Sequence, residues 1–402
     1  MPDEERHAAQ GIRTVVRELS GGLGDLATFL PLAVGLIAVN HVSATSIFLS
    51  AGLLYIAAGL IFRLPIPVQP LKATSAVAIA LAVPADSVAA TAVVMGCLFL
   101  ALSIIPLNDV LEKVFTRPIV RGIQLGLAVL LVKGGLKMVF GAKGMATVSL
   151  GGVPLPAAAV LAAASAAVIL LSGESRRYPA ALVVLAMGLL GGLLFVRQGA
   201  VGALNVGAAW PVPRLPADWD ARTVFLTLLL PQVPLTLANS VVATVATARQ
   251  YFGKGADRVT PRRLMVSLGT ANLFVGLLGG MPLCHGCGGL TAHYRFGARS
   301  GLAGVFVGGL FVLLGLLYGK SITGLVGLIS PAVLGILLLY VGVAHARLLR
   351  DVVAFPGELA VALAIGAVTL ATGNLAIAFG LGLLLQATGR AFRVLLFRVR
   401  AV

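Results

Sequence analysis

Pro65-Ile-Pro-Val-Gln-Pro-Leu-Lys72 and Gly279-Gly-Met-Pro-Leu-Cys-His-Gly-Cys-Gly-Gly289 are two short breaks, marked by proline and glycine, inside otherwise apolar sequence. Proline pushes the residue before it toward extended backbone, so each stretch reads as an extended segment from which a new, short helix starts. Pro67 and Pro282 are 215 residues apart in a chain of 402. Each half therefore carries one broken membrane segment in a corresponding place. Folds built from two inverted repeats aim the positive ends of such helices at a substrate site near the bilayer midplane. The pattern points to a transporter.

Composition agrees. With 59% hydrophobic and 11% charged residues and a mean hydropathy of +1.02, the chain is far too apolar for a soluble domain of its length. It reads as an all-α polytopic membrane protein whose standing partner is the lipid bilayer. A formal charge of +16 suggests nucleic acid, but Lys and Arg are scattered singly between apolar runs, which argues against that partner. Cys97, Cys284 and Cys287 make no disulfide framework, and Met1 to Glu18 is acidic without an apolar core, unlike a cleavable signal peptide.

Apolar runs near the length needed to cross the hydrocarbon give spans at 21–40, 45–62, 70–84, 87–106, 118–136, 154–172 and 179–196 in the first half. The second half gives 223–249, 262–279, 286–296, 301–318, 322–344, 357–371 and 374–388. The chain thus divides into an N-terminal segment 1–20, a seven-span repeat 21–196, a connection 197–222, a second repeat 223–388 and a basic amphipathic tail 389–402 that reads as an interfacial helix. Placing both termini in the cytoplasm puts 22 of the 30 basic residues inside and seven outside, with Lys72 in the membrane. An odd repeat of seven inverts its second copy. The expected location is the plasma (inner) membrane, with multiple passes. The sequence leaves homodimerisation open.

Glu18-Leu-Ser-Gly-Gly-Leu-Gly-Asp-Leu-Ala-Thr-Phe-Leu-Pro31, the Pro65 to Lys72 break, Pro231-Gln-Val-Pro-Leu-Thr-Leu-Ala-Asn-Ser240, Met281 to Leu290, and Tyr294-Arg-Phe-Gly-Ala-Arg-Ser-Gly301 are five stretches with a shared likeness. Together they resemble the molybdate transporter family of plants and bacteria, related to the SulP sulfate permeases. The resemblance implies a carrier of tetrahedral oxyanions, not an enzyme, with the 7+7 inverted-repeat fold of the SulP and nucleobase permeases and its core and gate domains. Twelve residues after Arg390 give no room for the STAS domain of SulP permeases, which this family also lacks. The substrate implied is molybdate, with tungstate and sulfate as tetrahedral relatives and a proton or other cation as the coupling partner. Rival readings are a sulfate or other oxyanion permease of the same fold, a nucleobase symporter, an oxyanion channel, and a membrane enzyme using the cysteine pair.

A doubly charged oxyanion is costly to desolvate, so its site needs fixed N–H donors and a positive field. Helices starting after Pro70 and Cys284 supply both. Gly286, Gly288 and Gly289 let backbone N–H groups approach the oxygens, or alternatively let helices pack closely. Gln69 and His285 occupy comparable positions at the two breaks and are candidate side-chain donors. Lys72 adds positive field, or else serves a structural ion pair or snorkels. Asp25 is the candidate coupling carboxylate, or the partner of Lys72. Laying Gly24-Asp-Leu-Ala on Pro231-Gln-Val-Pro matches Asp25 with Gln232, one polar residue from the first helix of each repeat. Thr236, Asn239 and Ser240 lie near the middle of the eighth span and, with Gln232, are candidate substrate contacts, or alternatively hydroxyls and an amide that pack between helices. Cys284-His-Gly-Cys287 has the spacing of two thiolate ligands but no second pair, so no metal or cofactor is expected, and Cys287 is counted with the substrate-side residues. Glu358 and His345 read as boundary residues.

Overall fold

Apolar runs of this length satisfy their backbone N–H and C=O groups inside a bilayer only as helices, whose hydrogen bonds are internal to each segment. A computed structural model describes residues 14–15, 17–105, 116–141, 147–150, 153–172, 180–195 and 207–400. Residues 1–13 of the N-terminal segment, 197–206 of the connection, and the loop cations Lys113, Lys143, Arg176 and Arg177 lie outside the described residues.

In the first half, α1 (Leu26–Asn40) and α2 (Ala44–Phe62) lead into strand β1 (Gln69–Pro70), the short α3 (Lys72–Leu81), α4 (Ala85–Leu102) and α5 (Arg117–Gly141). A hairpin of β2 (Thr147–Leu150) and β3 (Val153–Pro156) follows, then α6 (Ala157–Ser172) and α7 (Ala180–Phe195). The second half keeps the same order: α8 (Thr223–Ala256), α9 (Pro261–Leu277), strand β4 (Leu283–Cys284), the short α10 (Cys287–Arg295), α11 (Leu302–Gly327), α12 (Pro331–Arg347), α13 (Pro356–Thr372) and α14 (Leu375–Arg400). Among the described residues α2, α4, α5, α8, α11 and α12 are each long and apolar enough to cross a membrane alone. Leu170, Leu171 and Leu194, each at least 75% exposed, fit a lipid-facing surface rather than water.

The helices pack in two sets. In one, α2 lies against α11, α4 against α9, and α1 against α3 and α11; in the other, α5 lies against α12 and α13, α6 against α7 and α12, and α13 against α14. Close approach needs glycine at each main seam. A Cβ at Gly52 would sit 2.6 Å from the Gly308 carbonyl of α11, and one at Gly135 2.7 Å from the Gly335 carbonyl of α12. Phe29, Phe48, Tyr55 and Phe311 fill the centre of the first set, with Phe29 and Phe311 ring centroids 4.8 Å apart. The second set is tied at one end by Arg117 to Glu358, 2.7 Å, and by Arg121 to Asp351. Glu358 is thus a boundary residue, and His345 turns its Nδ1 onto Val341 O of its own helix.

Three differences from the sequence reading have local causes. The hairpin β2–β3 was not expected, although the Gly151-Gly152 dipeptide between two short apolar runs signals one. The expected boundary near 319–321 is absent, and Lys320 lies inside α11; the helix stops later, where Ser330 accepts from Ala332 N and Pro331 opens α12. The tail after 388 continues α14 without a break.

Candidate functional site

Three prolines in six residues keep the Pro65 to Pro70 stretch extended, and buried extended backbone must find partners. It finds them in the other half of the chain. β1 pairs antiparallel with β4, Gln69 opposite Cys284 and Pro70 opposite Leu283, and Leu71 N donates to Pro282 O at 2.9 Å. The two short helices therefore start beside each other. Asn272 of α9 pins β4 by donating from Nδ2 to Leu283 O and accepting Leu283 N at Oδ1, both 2.8 Å. Asn272→Leu strands both backbone groups in a buried setting, and thermal unfolding of the purified protein is expected to show a loss of about 2–4 kcal/mol.

His285 belongs to this brace. Its Nδ1 donates to Pro67 O at 2.9 Å, so its Nε2 accepts from the Ser267 hydroxyl, also at 2.9 Å. Thr244 Oγ1 donates to its carbonyl, and Phe62 meets its ring edge-on at 5.8 Å. With both ring nitrogens engaged, the His285 side chain holds the break in place and has no ring N–H left for a substrate. The sequence comparison with Gln69 set the two at equivalent positions but did not show which way either faces.

Gln69 and Asp25 form the buried polar pair at the centre. Asp25 lies at the break between a helical segment Arg17–Leu23 and the first span, which are bent by 48°. Gln69 Nε2 donates to both Asp25 oxygens at 2.7 Å. Gly286, the N-cap of α10, and Gly289 within it make room for this pair. A Cβ at Gly286 would lie 2.2 Å from Gln69 Oε1, and one at Gly289 2.6 Å from both Asp25 Oδ2 and Gln69 Nε2. Gln69 Oε1 is buried and has no hydrogen-bond partner among the described residues. Gly288 differs from its neighbours: it is exposed, and a Cβ there meets nothing within 4 Å. It faces open space.

The other half of the site mirrors this arrangement. Gln232 Oε1 accepts from Thr74 N at 3.0 Å, the third residue of α3, while its Nε2 donates to Thr236 Oγ1 at 2.8 Å. Asp25 lies against Gly289, the third residue of α10. A polar residue at the start of α1 and one within α8 thus each lie against the broken helix of the other half. Gln232 and Thr236 are consumed as a cap on α3. Helix geometry leaves the N–H groups of Lys72 and Ala73 in α3, and of Cys287 and Gly288 in α10, without an intrahelical partner. Asn239 sits in a widened π-helical turn of α8, half-buried, with its Nδ2 beside Gly286 and its Oδ1 accepting from Cys287 Sγ at 3.0 Å.

Lys72, half-buried in the first turn of α3, has no carboxylate within ion-pair distance among the described residues, so the alternative of an Asp25–Lys72 ion pair is not what forms. The two thiols of Cys284-His-Gly-Cys287 engage separate partners, Cys284 Sγ directed at Pro70 O and Cys287 Sγ at Asn239. A hydroxyl can make the second contact, so Cys287→Ser is expected to keep full uptake, whereas Cys287→Ala, lacking a donor for Asn239, lowers it; initial rates on folded protein test both. Ser267 and Asn272 escaped the sequence reading. Their signal was present as polar residues five apart, with Thr270 between them, inside a span of the membrane region.

The chain matches the family model described as "Molybdate transporter of MFS superfamily" over residues 17–131 and 224–344, the two segments that hold every residue of this site. It is 31% identical to Molybdate transporter 2 of Arabidopsis thaliana over 371 residues, covering 83% of this chain and 79% of that protein. It is 30% identical to Molybdate transporter 1 of Chlamydomonas reinhardtii, covering 83% of each. Its fold is like that of the murine Solute Carrier 26 family member A9 anion transporter, with TM-score 0.70 and 16% identity over 94% of this chain and 68% of that one. The transmembrane domain of the cyanobacterial bicarbonate transporter BicA also shares the fold, with TM-score 0.65 and 17% identity over 93% of this chain and 96% of that one. The fold is therefore like that of the membrane domains of these two anion transporters. On the family model and the relatives together, this chain belongs to the molybdate transporter family, whose members are transporters and not enzymes.

Proposed function

We propose that this chain carries molybdate across the membrane by secondary active transport, with the dianion held between the first turns of α3 and α10. The observation that carries the reading is the β1–β4 pairing, which sets two helix N-termini side by side with Gly288 facing open space. Two N-terminal dipoles and several orphan N–H groups can replace water around an anion without delivering a compensating counter-ion. Lys72, unpaired by any carboxylate among the described residues, adds a full positive charge to the same region. The names of the plant and algal relatives support molybdate as the substrate.

In this reading the set built on α1–α4 and α8–α11 is the core domain that carries the site, and the set built on α5–α7 and α12–α14 is the gate against which it moves. The repeats run over 21–196 and 223–388, in the plasma (inner) membrane with both termini cytoplasmic. Moving a dianion inward against a negative-inside potential costs about 2.3 kcal/mol per charge per 100 mV, so a driving cation is required. Asp25 is the group that takes up the proton, because it is the carboxylate bonded to Gln69 beside the anion site. Uptake by reconstituted vesicles, with molybdate, tungstate and sulfate in competition and with or without a pH gradient, tests this function. Saturable molybdate uptake raised by an inward proton gradient is the expected result. Non-saturating flux, or uptake indifferent to molybdate, contradicts it.

A further inference from the structure

We infer that the groove between α2 and α9 is a binding site for an anionic phospholipid, with one acyl chain along the groove and the phosphate at Arg262 and Arg263. The groove encloses about 560 Å³, and its apolar wall comes from Leu53, Ala57 and Ile61 of α2 and Val266, Ala271 and Phe274 of α9. Leu53, Ile61, Val266 and Phe274 are exposed, so the wall opens sideways along α2, a helix long and apolar enough to cross a membrane, and the α9 that packs beside it. From Arg262 to Phe274 the helix rises about 18 Å at 1.5 Å per residue. One leaflet of a ~30 Å hydrocarbon core is about 15 Å deep. The groove therefore matches one leaflet in length.

Its two ends differ in charge. Arg262 and Arg263 stand exposed at the start of α9, and the ion pairs among the described residues all lie elsewhere, at Arg117–Glu358, Arg121–Asp351 and Arg214–Asp86. Arg258 donates to Ile61 O at 3.5 Å and closes the polar end against α2. An occupant with an anionic head and one long apolar body satisfies both ends, which neither a small soluble anion nor a neutral hydrocarbon does. The groove also reaches the site. Ser267 lines it and donates to His285 Nε2, whose ring in turn holds Pro67 O, so the lipid lies directly behind the brace of β1.

The test uses the full chain in phosphatidylcholine nanodiscs doped with either phosphatidylglycerol or phosphatidylcholine carrying the same photoactivatable acyl chain. Phosphatidylglycerol is expected to label peptides of α2 and α9 in preference to phosphatidylcholine. Arg262→Gln with Arg263→Gln is expected to cut that labelling roughly thirtyfold, equivalent to about 1 kcal/mol for each basic residue near an anionic surface. Ala57→Trp fills the groove while sparing both arginines, and it too abolishes labelling. Equal labelling by both lipids, labelling confined to other helices, persistence in both variants, or cross-links showing a second copy of the chain in the groove overturns the assignment. If either variant fails to fold, the comparison of the two lipids on the unaltered chain still decides.

Discussion

Gly288→Val lowers molybdate uptake at least about a hundredfold while leaving a folded protein. The loss corresponds to two charge-assisted hydrogen bonds at about 1.5 kcal/mol each, because the branched side chain fills the open space over the N–H groups of Cys287 and Gly288. The fold has no reason to fail. A Cβ at Gly288 meets no atom within 4 Å, and valine has a higher helix propensity than glycine. Gly286→Val is a poor substitute for this test. Its Cβ would collide with Gln69 Oε1 at 2.2 Å, so lost uptake there would report a displaced Gln69 and a disrupted β1–β4 crossing as much as a blocked site. Initial uptake rates, alongside thermal unfolding of the same preparation, check the prediction; normal uptake by folded Gly288→Val removes the anion from the start of α10.

The second large effect is expected at Asp25. Asp25→Asn keeps a group of the same size against Gln69 and Gly289 but cannot take up and release a proton. Exchange of molybdate across the membrane is expected to persist, while accumulation driven by a pH gradient is lost. Without proton uptake, the dianion has to enter against about 4.6 kcal/mol per 100 mV, an equilibrium penalty on the order of a thousandfold. No rescue is expected from adding Lys72→Gln, since Asp25 bonds to Gln69 and not to Lys72. Recovery of driven uptake in that double variant would show the two charges acting as a pair. Accumulation by Asp25→Asn that still follows the proton gradient takes Asp25 out of coupling.

Much of this site was legible in the residues because proline and glycine constrain backbone directly. Pro65, Pro67 and Pro70 force an extended stretch wherever they occur in an apolar run, and the short helix after each break follows from the span lengths around it. Charges in the membrane were equally readable, so Asp25 and Lys72 stood out by type alone. What the sequence did not carry is direction. His285 and Gln69 look equivalent by position, yet one ring braces Pro67 O and Ser267 while the other side chain meets Asp25. The three glycines at the start of α10 look alike, yet Gly286, its N-cap, and Gly289 admit the Gln69–Asp25 pair, while Gly288 faces open space. Those distinctions depend on which helix packs opposite, and periodicity within one segment does not encode that. The same limit explains the misplaced end of α11, since Lys320 interrupts the hydropathy but not the backbone, and the stop is set by Ser330 and Pro331.

Locating tungstate in crystals of the full chain by its anomalous scattering decides whether a tetrahedral dianion binds between the first turns of α3 and α10. One strong peak is expected within hydrogen-bonding reach of the Lys72 and Gly288 backbone N–H groups, absent in Gly288→Val. A bound tungstate elsewhere in the protein, with no peak between these two helices in a preparation that transports molybdate, would contradict it.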